Sequence, residues 1–397
     1  MDKPLVTVGV LTYNNYQYIK DAINSILTQT YPNIELIVSD DGSTEFDVKE
    51  IEKYIFDNKG DNIKRVLVNQ MKKNGGTSKN FNYVLSQAHG KYIKYLAADD
   101  FFIKENSLIN LVEVAENNKS KVVAGRCPSY DQYLQRWEWT YPSDDNWRII
   151  TNLSKWDLFG VMSEFCLISA PGVLYQTEYL RNKGGADESY RLIEDWPLWL
   201  RMIREGDKIT FTDDLVVLYR AGGVSNGINN EAYGRHQIEY ADVIRNESFP
   251  YKKKIKRKYY RRAWFSERKH RHDGIKALYG GNFNLIQKVK LELSYADMYL
   301  YYFYYCIMKQ IVERGMRKKK KIFEVGIITI VIGMCIDYER IINLLNMSTV
   351  LLEIGRLGVS GLIILGGGMI AVAGILYAIH VVKKIGENIG AVIYGWK

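Results

Sequence analysis

Short unbroken apolar runs alternate with stretches of helical spacing from the first residues onward. Val6–Leu11 is such a run and reads as a buried strand. Ile19, Ala22, Ile23, Ile26 and Leu27 then mark one face of a helix over Tyr18–Leu27. The alternation continues with a strand at Glu35–Ser39, a helix at Val48–Phe56 and a strand at Ile63–Val68. A helix at Phe81–Ala88, a strand at Lys91–Leu96, a helix at Leu108–Ala115 and a strand at Lys121–Ala124 complete the series. Strands that are apolar on both faces and alternate with helices predict an α/β fold, a mostly parallel mixed sheet flanked by helices. Ligands of such sheets bind beyond the carboxyl ends of the strands.

The pattern breaks between Arg126 and Ser163, a polar stretch rich in Tyr and Trp. It reads as loops and short strands over an open cleft. Regular structure resumes at Leu167–Gln176 and in a helix near Trp196–Glu205. A basic tract follows at Lys252–His272, in which eleven residues are Lys or Arg. Leu291–Glu313 has the length of a helix and is crowded with tyrosine, and Lys318–Lys321 is a second basic cluster.

Beyond that cluster the chain turns apolar. Leu357–Val382 holds 26 residues without Asp, Glu, Lys or Arg, more than the roughly 20 needed to cross a bilayer. Gly367, Ala371, Gly374 and Ala378 lie on one face of it and offer a surface for helix packing and self-association. Ile322–Leu345 is a weaker span, because its uncharged core Val325–Ile336 covers only about 18 Å at about 1.5 Å per residue. Lysines flank both ends of the pair, at Lys318–Lys321 and Lys383-Lys384, and place both flanks on the cytoplasmic side. A two-span hairpin is expected, with a single span preceded by an interfacial helix as the alternative. The expected division is a first domain at 1–245, a basic and aromatic helical membrane-proximal region at 246–321, and a hairpin with a tail at 322–397.

Composition narrows the chemistry. The 397 residues carry a formal net charge of +9, which suits an anionic partner. Cys127, Cys166, Cys306 and Cys335 are far apart, and the five histidines form no H-E-x-x-H pattern. A zinc knuckle, a disulfide framework and zinc-hydrolase chemistry are therefore set aside. The start, MDKPLVTVGV, lacks the basic-then-apolar shape of a secretory signal. The basic tract beside expected spans reads as a patch for anionic membrane lipids, and a nucleic-acid partner is not expected.

Three constellations carry candidate chemistry. In the first, the strand ending Thr12-Tyr13-Asn14 is followed by one ending Asp40-Asp41-Gly42-Ser43. Carboxylates there can accept from a base N–H or a ribose hydroxyl, and Gly42 permits a sharp turn; a plain turn and helix cap is the bland alternative. In the second, YIKYLAADDFF, a buried strand ends in Asp99-Asp100. Paired carboxylates call for a positive partner, and a hard divalent ion such as Mg²⁺ or Mn²⁺ on diphosphate oxygens would serve. In the third, IEDWPLWLRMIREG, Glu194-Asp195 precede a helix whose first turn holds Pro197. The helix's positive end favours an ionised Asp195, which can act as a general base, and Trp196 can line a sugar site.

In this order and spacing the segments VTVGVLTYNNYQYIKDAINSILTQTYPNIELIVSDDGST, NGGTSKNFNYVLSQAHGKYIKYLAADD, IEDWPLWLRMIREG and VLYRAGGVS resemble family 2 glycosyltransferases over about residues 3–230. The resemblance implies a GT-A nucleotide-sugar-binding fold followed by a C-terminal helical membrane anchor. It implies that Tyr13 lies against uracil, with Thr12 and Asn14 beside it. Asp41 would bond the base and Asp40 would support the loop. Asp99 would approach the ribose or sugar, and Asp100 would ligate Mg²⁺ or Mn²⁺. Asp195 would be the catalytic base, with Glu194 and Trp196 as substrate contacts. Three departures stand out: Ala97 where an Asp is frequent, Phe81 where an Arg is frequent, and no histidine near Ala221 as a further ligand. The absence of Q-x-x-R-W argues against a processive synthase.

The expected activity is inverting transfer of one sugar from a nucleotide-sugar, UDP-linked foremost, to a hydroxyl of a lipid-linked glycan at the inner membrane, in surface polysaccharide synthesis. The alternative is transfer to the phosphate of a polyprenyl lipid. A membrane scaffold with a degenerate transferase domain is the non-enzymatic reading.

Overall fold

A computed structural model describes residues 3–221, 230–279, 281–302 and 305. The chain divides into two compact units, residues 1–281 and 282–397. The first holds a ten-stranded mixed sheet with helices on both faces. Its strands are β1 (Val6–Thr12), β2 (Ile34–Asp40), β3 (Ile63–Gln70), β4 (Tyr92–Ala97), β5 (Phe101–Phe102), β6 (Val122–Tyr130), β7 (Trp137–Tyr141), β8 (Val173–Gln176), β9 (Thr210–Leu215) and β10 (Val217–Arg220). The order is β3-β2-β1-β4-β8-β6-β10-β5, with β7 and β9 also paired to β6. β3, β2, β1 and β4 are parallel, whereas β8 runs antiparallel to both β4 and β6.

The parallel half follows from the apolar runs. Val6, Val8 and Val10 of β1 and Ile34, Leu36 and Val38 of β2 are buried in one cluster with α1 (Ile19–Leu27), α2 (Val48–Asn58) and, later in the chain, α4 (Ser107–Asn118). On the other face α3 (Thr77–Gln87) supplies Phe81, Val84 and Leu85 to a second cluster. A buried carboxylate pins the amino-end of this half. Glu35 accepts from Thr7 Oγ1 at 2.5 Å and from His89 N at 2.7 Å, and it pairs with Arg65 of β3. The strand termini come within two residues of the sequence-based ranges except at β6, which runs on to Tyr130.

The stretch read as loops over a cleft is more regular than expected. It holds β7 and two helices, α5 (Asp144–Asn152) and α6 (Lys155–Met162). The apolar period failed there because α5 buries only Ile150. Its start is written instead in a cap, where Ser143 Oγ accepts from Asn146 N at 3.4 Å. Within Leu167–Gln176 only β8 is a strand, and it is followed by α7 (Thr177–Asn182).

The helix α8 spans Trp196–Glu205 as the pattern indicated. After it come α9 (Asn230–Val243) and α10 (Arg257–Tyr279), which pack on each other in the same unit. Several basic side chains of the 252–272 tract are paired within the protein: Lys256 with Asp157, Arg262 with Glu164, and Arg271 with Asp242 and Glu267. In the second unit α11 (Leu285–Ser294) starts at a capping box made by Asn284 and Gln287. The apolar segments 322–345 and 357–382 lie outside the described residues. Among the described residues no helix is long and apolar enough to cross a membrane.

Candidate active site

Three parallel strands end at one edge, and their register places two carboxylate pairs around a single loop. Thr12 of β1 is level with Asp40 of β2, and Leu11 is level with Ala97 of β4. Asp41 N donates to Thr12 O at 2.9 Å, and Ala98 N donates to Leu11 O at 3.0 Å. The segment 12–15 therefore runs between Asp40-Asp41 on one side and Asp99-Asp100 on the other. Thr12 is buried, and the Tyr13 ring is 46% exposed. Asn14 takes a left-handed conformation, φ 50°, and its N–H donates to Ser43 Oγ at 2.7 Å.

The two aspartates of the first pair have different partners. Asp40 closes its own turn, accepting from Ser43 N at 2.7 Å, Ser43 Oγ at 2.5 Å and Gln70 Nε2 at 3.2 Å. Asp41 reaches across to the turn before α3, accepting from Gly75 N and Gly76 N, both at 2.7 Å. Glycine is needed where these turns meet. Gly42 (φ +79°) and Gly76 (φ +95°) both occupy left-handed backbone, and a Cβ on either would press within 3 Å of neighbouring backbone.

In the second pair Asp100 is buried and Asp99 half-buried. Asp100 is 2% exposed, and its Oδ1 accepts the Arg220 N–H at 3.1 Å. The Arg220 guanidinium donates to Asp99 O at 3.2 Å, to Gln132 O at 3.1 Å and to Asp21 Oδ2 at 2.8 Å, and it lies 4.1 Å from the Tyr18 ring centre. One arginine at the end of β10 thus ties the acidic turn to α1. Beneath it lies Lys94, fully buried, donating to Tyr95 O at 2.8 Å and to Pro171 O. Burial pushes the Lys94 ammonium down to about 8, against the pull of Cys127 and Asp100. Burial, and then the neighbouring Asp99, push the Asp100 carboxyl well above the ordinary range; the Arg220 N–H, Lys94 and the Arg220 charge oppose this. Burial raises Asp99 too, opposed by its own N–H, the Asn15 side chain and Arg220.

This donor set suits a hard divalent cation delivered with a diphosphate. Such ions keep waters and take one or two carboxylates plus phosphate oxygens. Two adjacent carboxylates, Asp100 buried and Asp99 half-buried, provide that number of ligands. No cluster of three or more acidic, histidine or cysteine ligands exists among the described residues, so phosphate oxygens and water would have to complete the coordination. Asp100, with Asp99 beside it, would hold the ion.

Asp195 arrives on a separate loop. It caps α8, accepting from Trp196 N at 2.6 Å, with Pro197 in the first turn. Burial raises the carboxyls of both Glu194 and Asp195, and the Asp195 charge raises Glu194 further, so the pair resists full ionisation. No hydrogen bond or ion pair joins Asp195 to Asp99 or Asp100 among the described residues. The loop is nevertheless tied to the Asp41 side of the edge. Arg191 Nη2 donates to Asn74 O at 3.1 Å, and Ser78 Oγ donates to Tyr190 O at 2.5 Å. Asp41 holds the 75–76 turn that follows Asn74, so the first carboxylate pair and the loop of Asp195 share one support.

Trp196, expected beside a sugar, is instead 1% exposed, with Nε1 donating to Met162 O at 2.7 Å. The apolar side of α8 takes it into the core because Trp196 and Trp199 lie three apart. Phe81, the departure from the family pattern, is also in the core, stacked 3.9 Å from the Tyr95 ring. Its neighbour Asn82 holds Ala186 through both backbone groups, at 2.9 Å each. Sequence reasoning assigned no role to Arg220, although a basic residue closing the apolar run VLY was a usable signal. It also passed over Glu239 of α9, which nothing in the sequence sets apart from a solvated helix face.

The chain matches the family model described as Glycosyl transferase family 2 over residues 7–172. It is 26% identical over 268 residues to "Uncharacterized glycosyltransferase RC0461" of Rickettsia conorii, covering 63% of this chain and 42% of that protein. It is 29% identical over 254 residues to an uncharacterized glycosyltransferase of Haemophilus influenzae, covering 62% of this chain and 74% of that one. The chain spans 28 to 59% of the length of four rickettsial relatives. Among solved structures it is similar to S. aureus TarS 1-349 in complex with UDP, with a TM-score of 0.47 and 18% identity, covering 75% of this chain and 80% of that one.

Proposed function

Because the chain carries a glycosyl transferase family 2 domain over residues 7–172 and so belongs with the glycosyltransferases, we infer that it transfers one sugar, with inversion, from a nucleotide-sugar to an acceptor hydroxyl. The convergence of Thr12–Asn14, Asp40-Asp41 and Asp99-Asp100 at one strand edge carries this reading. The exposed Tyr13 ring offers a face for the base, and Asp41 borders it. A UDP-sugar is the proposed donor.

The reaction proposed is a single displacement. Asp195 accepts the proton of the acceptor hydroxyl as that oxygen attacks the anomeric carbon. The bond from that carbon to the diphosphate oxygen breaks, and its electron pair leaves with the nucleoside diphosphate. A divalent ion at Asp100, when bound, supplies positive charge to the diphosphate. Arg220 keeps Asp99 and Asp100 in place by holding the turn from β10. The acceptor proposed is a lipid-linked glycan, with the reaction on the cytoplasmic side of the inner membrane. The uncharged run Leu357–Val382 supports that placement.

The rate should depend on pH through Asp195. A base acts in its ionised form, and burial raises this carboxyl and that of its neighbour Glu194 above the ordinary range, which for aspartate lies at about 3.9. Activity should therefore fall as pH drops from neutrality through that raised range. A kcat/KM profile flat from pH 7 down to 4.5 would remove Asp195 from the role.

The binding half of the proposal is tested by calorimetric titration of full-length protein with UDP, GDP and dTDP, with and without Mn²⁺. One nucleoside diphosphate should bind, more tightly with the ion. Failure of all three to bind in either condition would contradict the reading.

A further inference from the structure

Glu239 lies on α9, beyond the family match at residues 7–172 and within a helix with no assigned role. Its carboxylate Oε2 accepts the backbone N–H of Leu192 at 2.7 Å, and the neighbouring N–H groups of Arg191 and Ile193 favour its charged form against the burial that raises it. The bond is made two residues before Glu194 and three before Asp195. Resting on the reading that Asp195 is the base, we propose that Glu239 is a positioning residue, which fixes the loop that carries Asp195 at the acceptor side of the site.

The other anchors of this loop lie earlier in it. Asn82 holds Ala186, Ser78 holds Tyr190, and the Arg191 side chain holds Asn74. All three come from α3 or the turn before it. Among these ties on the amino side of the catalytic pair, Glu239 is the nearest in sequence, and it comes from a different element. A carboxylate accepting a backbone N–H makes a charge-assisted bond, stronger than a neutral one. It also fixes the peptide plane that carries the Leu192 N–H. The reach of a general base tolerates little error, since a displacement of about 1 Å can cost on the order of a hundredfold in rate.

The helix that carries Glu239 is itself braced. Tyr240, the next residue, packs its ring edge-on to Trp196, with centroids 5.5 Å apart. Trp196 directly follows Asp195, so α9 grips the chain at 192 and again at 196. Behind α9 stands α10. A Cβ on Gly234 would lie 3.1 Å from Gly274 O, and one on Gly274 would lie 2.9 Å from Gly234 O, so the two backbones touch. Arg271 bonds Asp242 at 2.9 Å and Glu267 at 2.7 Å, and Arg245 bonds Glu267 at 2.6 Å. Part of the basic tract thus braces α9, which aims the base.

Glu239→Ala and Glu239→Gln, made in the full chain, test the proposal by two readouts. Hydrogen exchange on the peptide spanning 187–196 reports the anchor directly, without any substrate. In Glu239→Ala these amides should exchange at least tenfold faster, with the strands unchanged. The kcat for sugar transfer should fall tenfold or more, while KM for the donor stays within about twofold. Glu239→Gln keeps a carbonyl acceptor and should recover most of both losses. Unchanged exchange in Glu239→Ala overturns the anchor whatever the enzyme does. Faster exchange with unchanged kcat overturns the positioning role. Equal loss of kcat and donor affinity, with strand amides also exposed, marks general unfolding and overturns it as well. A wild-type protein that transfers no sugar removes the functional reading, and the proposal with it, even where the exchange result holds.

Discussion

Asp195→Asn should lower kcat by about a hundredfold to ten-thousandfold, the usual worth of a positioned proton acceptor, with little change in donor KM. The substitution is close to isosteric. The asparagine Oδ1 can still accept the Trp196 N–H that Asp195 accepts at 2.6 Å, and Asn caps helices about as well as Asp. The loop ties at Glu239, Ser78 and Asn82 do not involve the side chain. What disappears is the basic carboxylate.

Linkage makes this variant well suited to the test. Burial raises the Asp195 carboxyl in the folded protein, so the folded state holds its proton to higher pH than the unfolded chain does. Stability from this group is therefore present below the ordinary carboxylate range and is lost as pH rises through the raised value. At pH 7 the ionised group is a burden that asparagine removes. The variant should melt at the same temperature as the wild type or higher, while losing turnover. Measured kcat and Tm together decide the matter. A mild loss of rate would instead favour transfer to a lipid phosphate, an acceptor with no proton to give up.

Asp100→Ala should abolish the stimulation of nucleoside diphosphate binding by Mn²⁺ and reduce transfer on the order of a hundredfold or more. With Ala97 in place of a further acid, Asp100 has only Asp99 as an acidic neighbour in this turn. Its Oδ1 also accepts the Arg220 N–H, and leaving that donor unpaired costs about 1–3 kcal/mol. Removing a buried carboxylate held well above its ordinary range offsets part of that cost. Asp100→Asn separates the two effects, because it keeps an acceptor for Arg220 and removes the charge. Both variants should lose the metal effect in calorimetry, and Asp100→Asn should keep a wild-type Tm. Metal-stimulated binding that survives in Asp100→Asn would move the ion elsewhere.

The parallel half of the fold was legible because its strands are apolar on both faces and its helices carry their own period. The boundaries at β1, β2 and α8 came from that signal and from Pro197 and Asp195 as start marks. The stretch after Arg126 was not legible for the same reason in reverse. Helix α5 buries one side chain, so it leaves no stripe, and β7 is an exposed ribbon with Trp137 and Trp139 outward. The candidate site was legible where acidic pairs coincide with strand ends, as at Asp40-Asp41 and Asp99-Asp100. It was illegible where chemistry depends on tertiary contact. Asp41 reaches Gly75 and Gly76, Arg220 reaches the acidic turn 120 residues earlier, and Glu239 reaches Leu192. Trp196 shows the opposite error. A tryptophan beside a catalytic acid suggests a sugar platform, but helical spacing with Trp199 turns it into the core.

The central claim is that the edge formed by β1, β2 and β4 is a metal-assisted nucleoside diphosphate site. Anomalous scattering from crystals of the full chain grown with Mn²⁺ and the nucleoside diphosphate that binds in calorimetry tests it most directly. The account predicts one manganese peak at roughly 2 Å from an Asp100 oxygen, with the base against Tyr13 beside Asp41. A nucleotide bound elsewhere, or a manganese peak away from Asp100 with the nucleotide present, would contradict it.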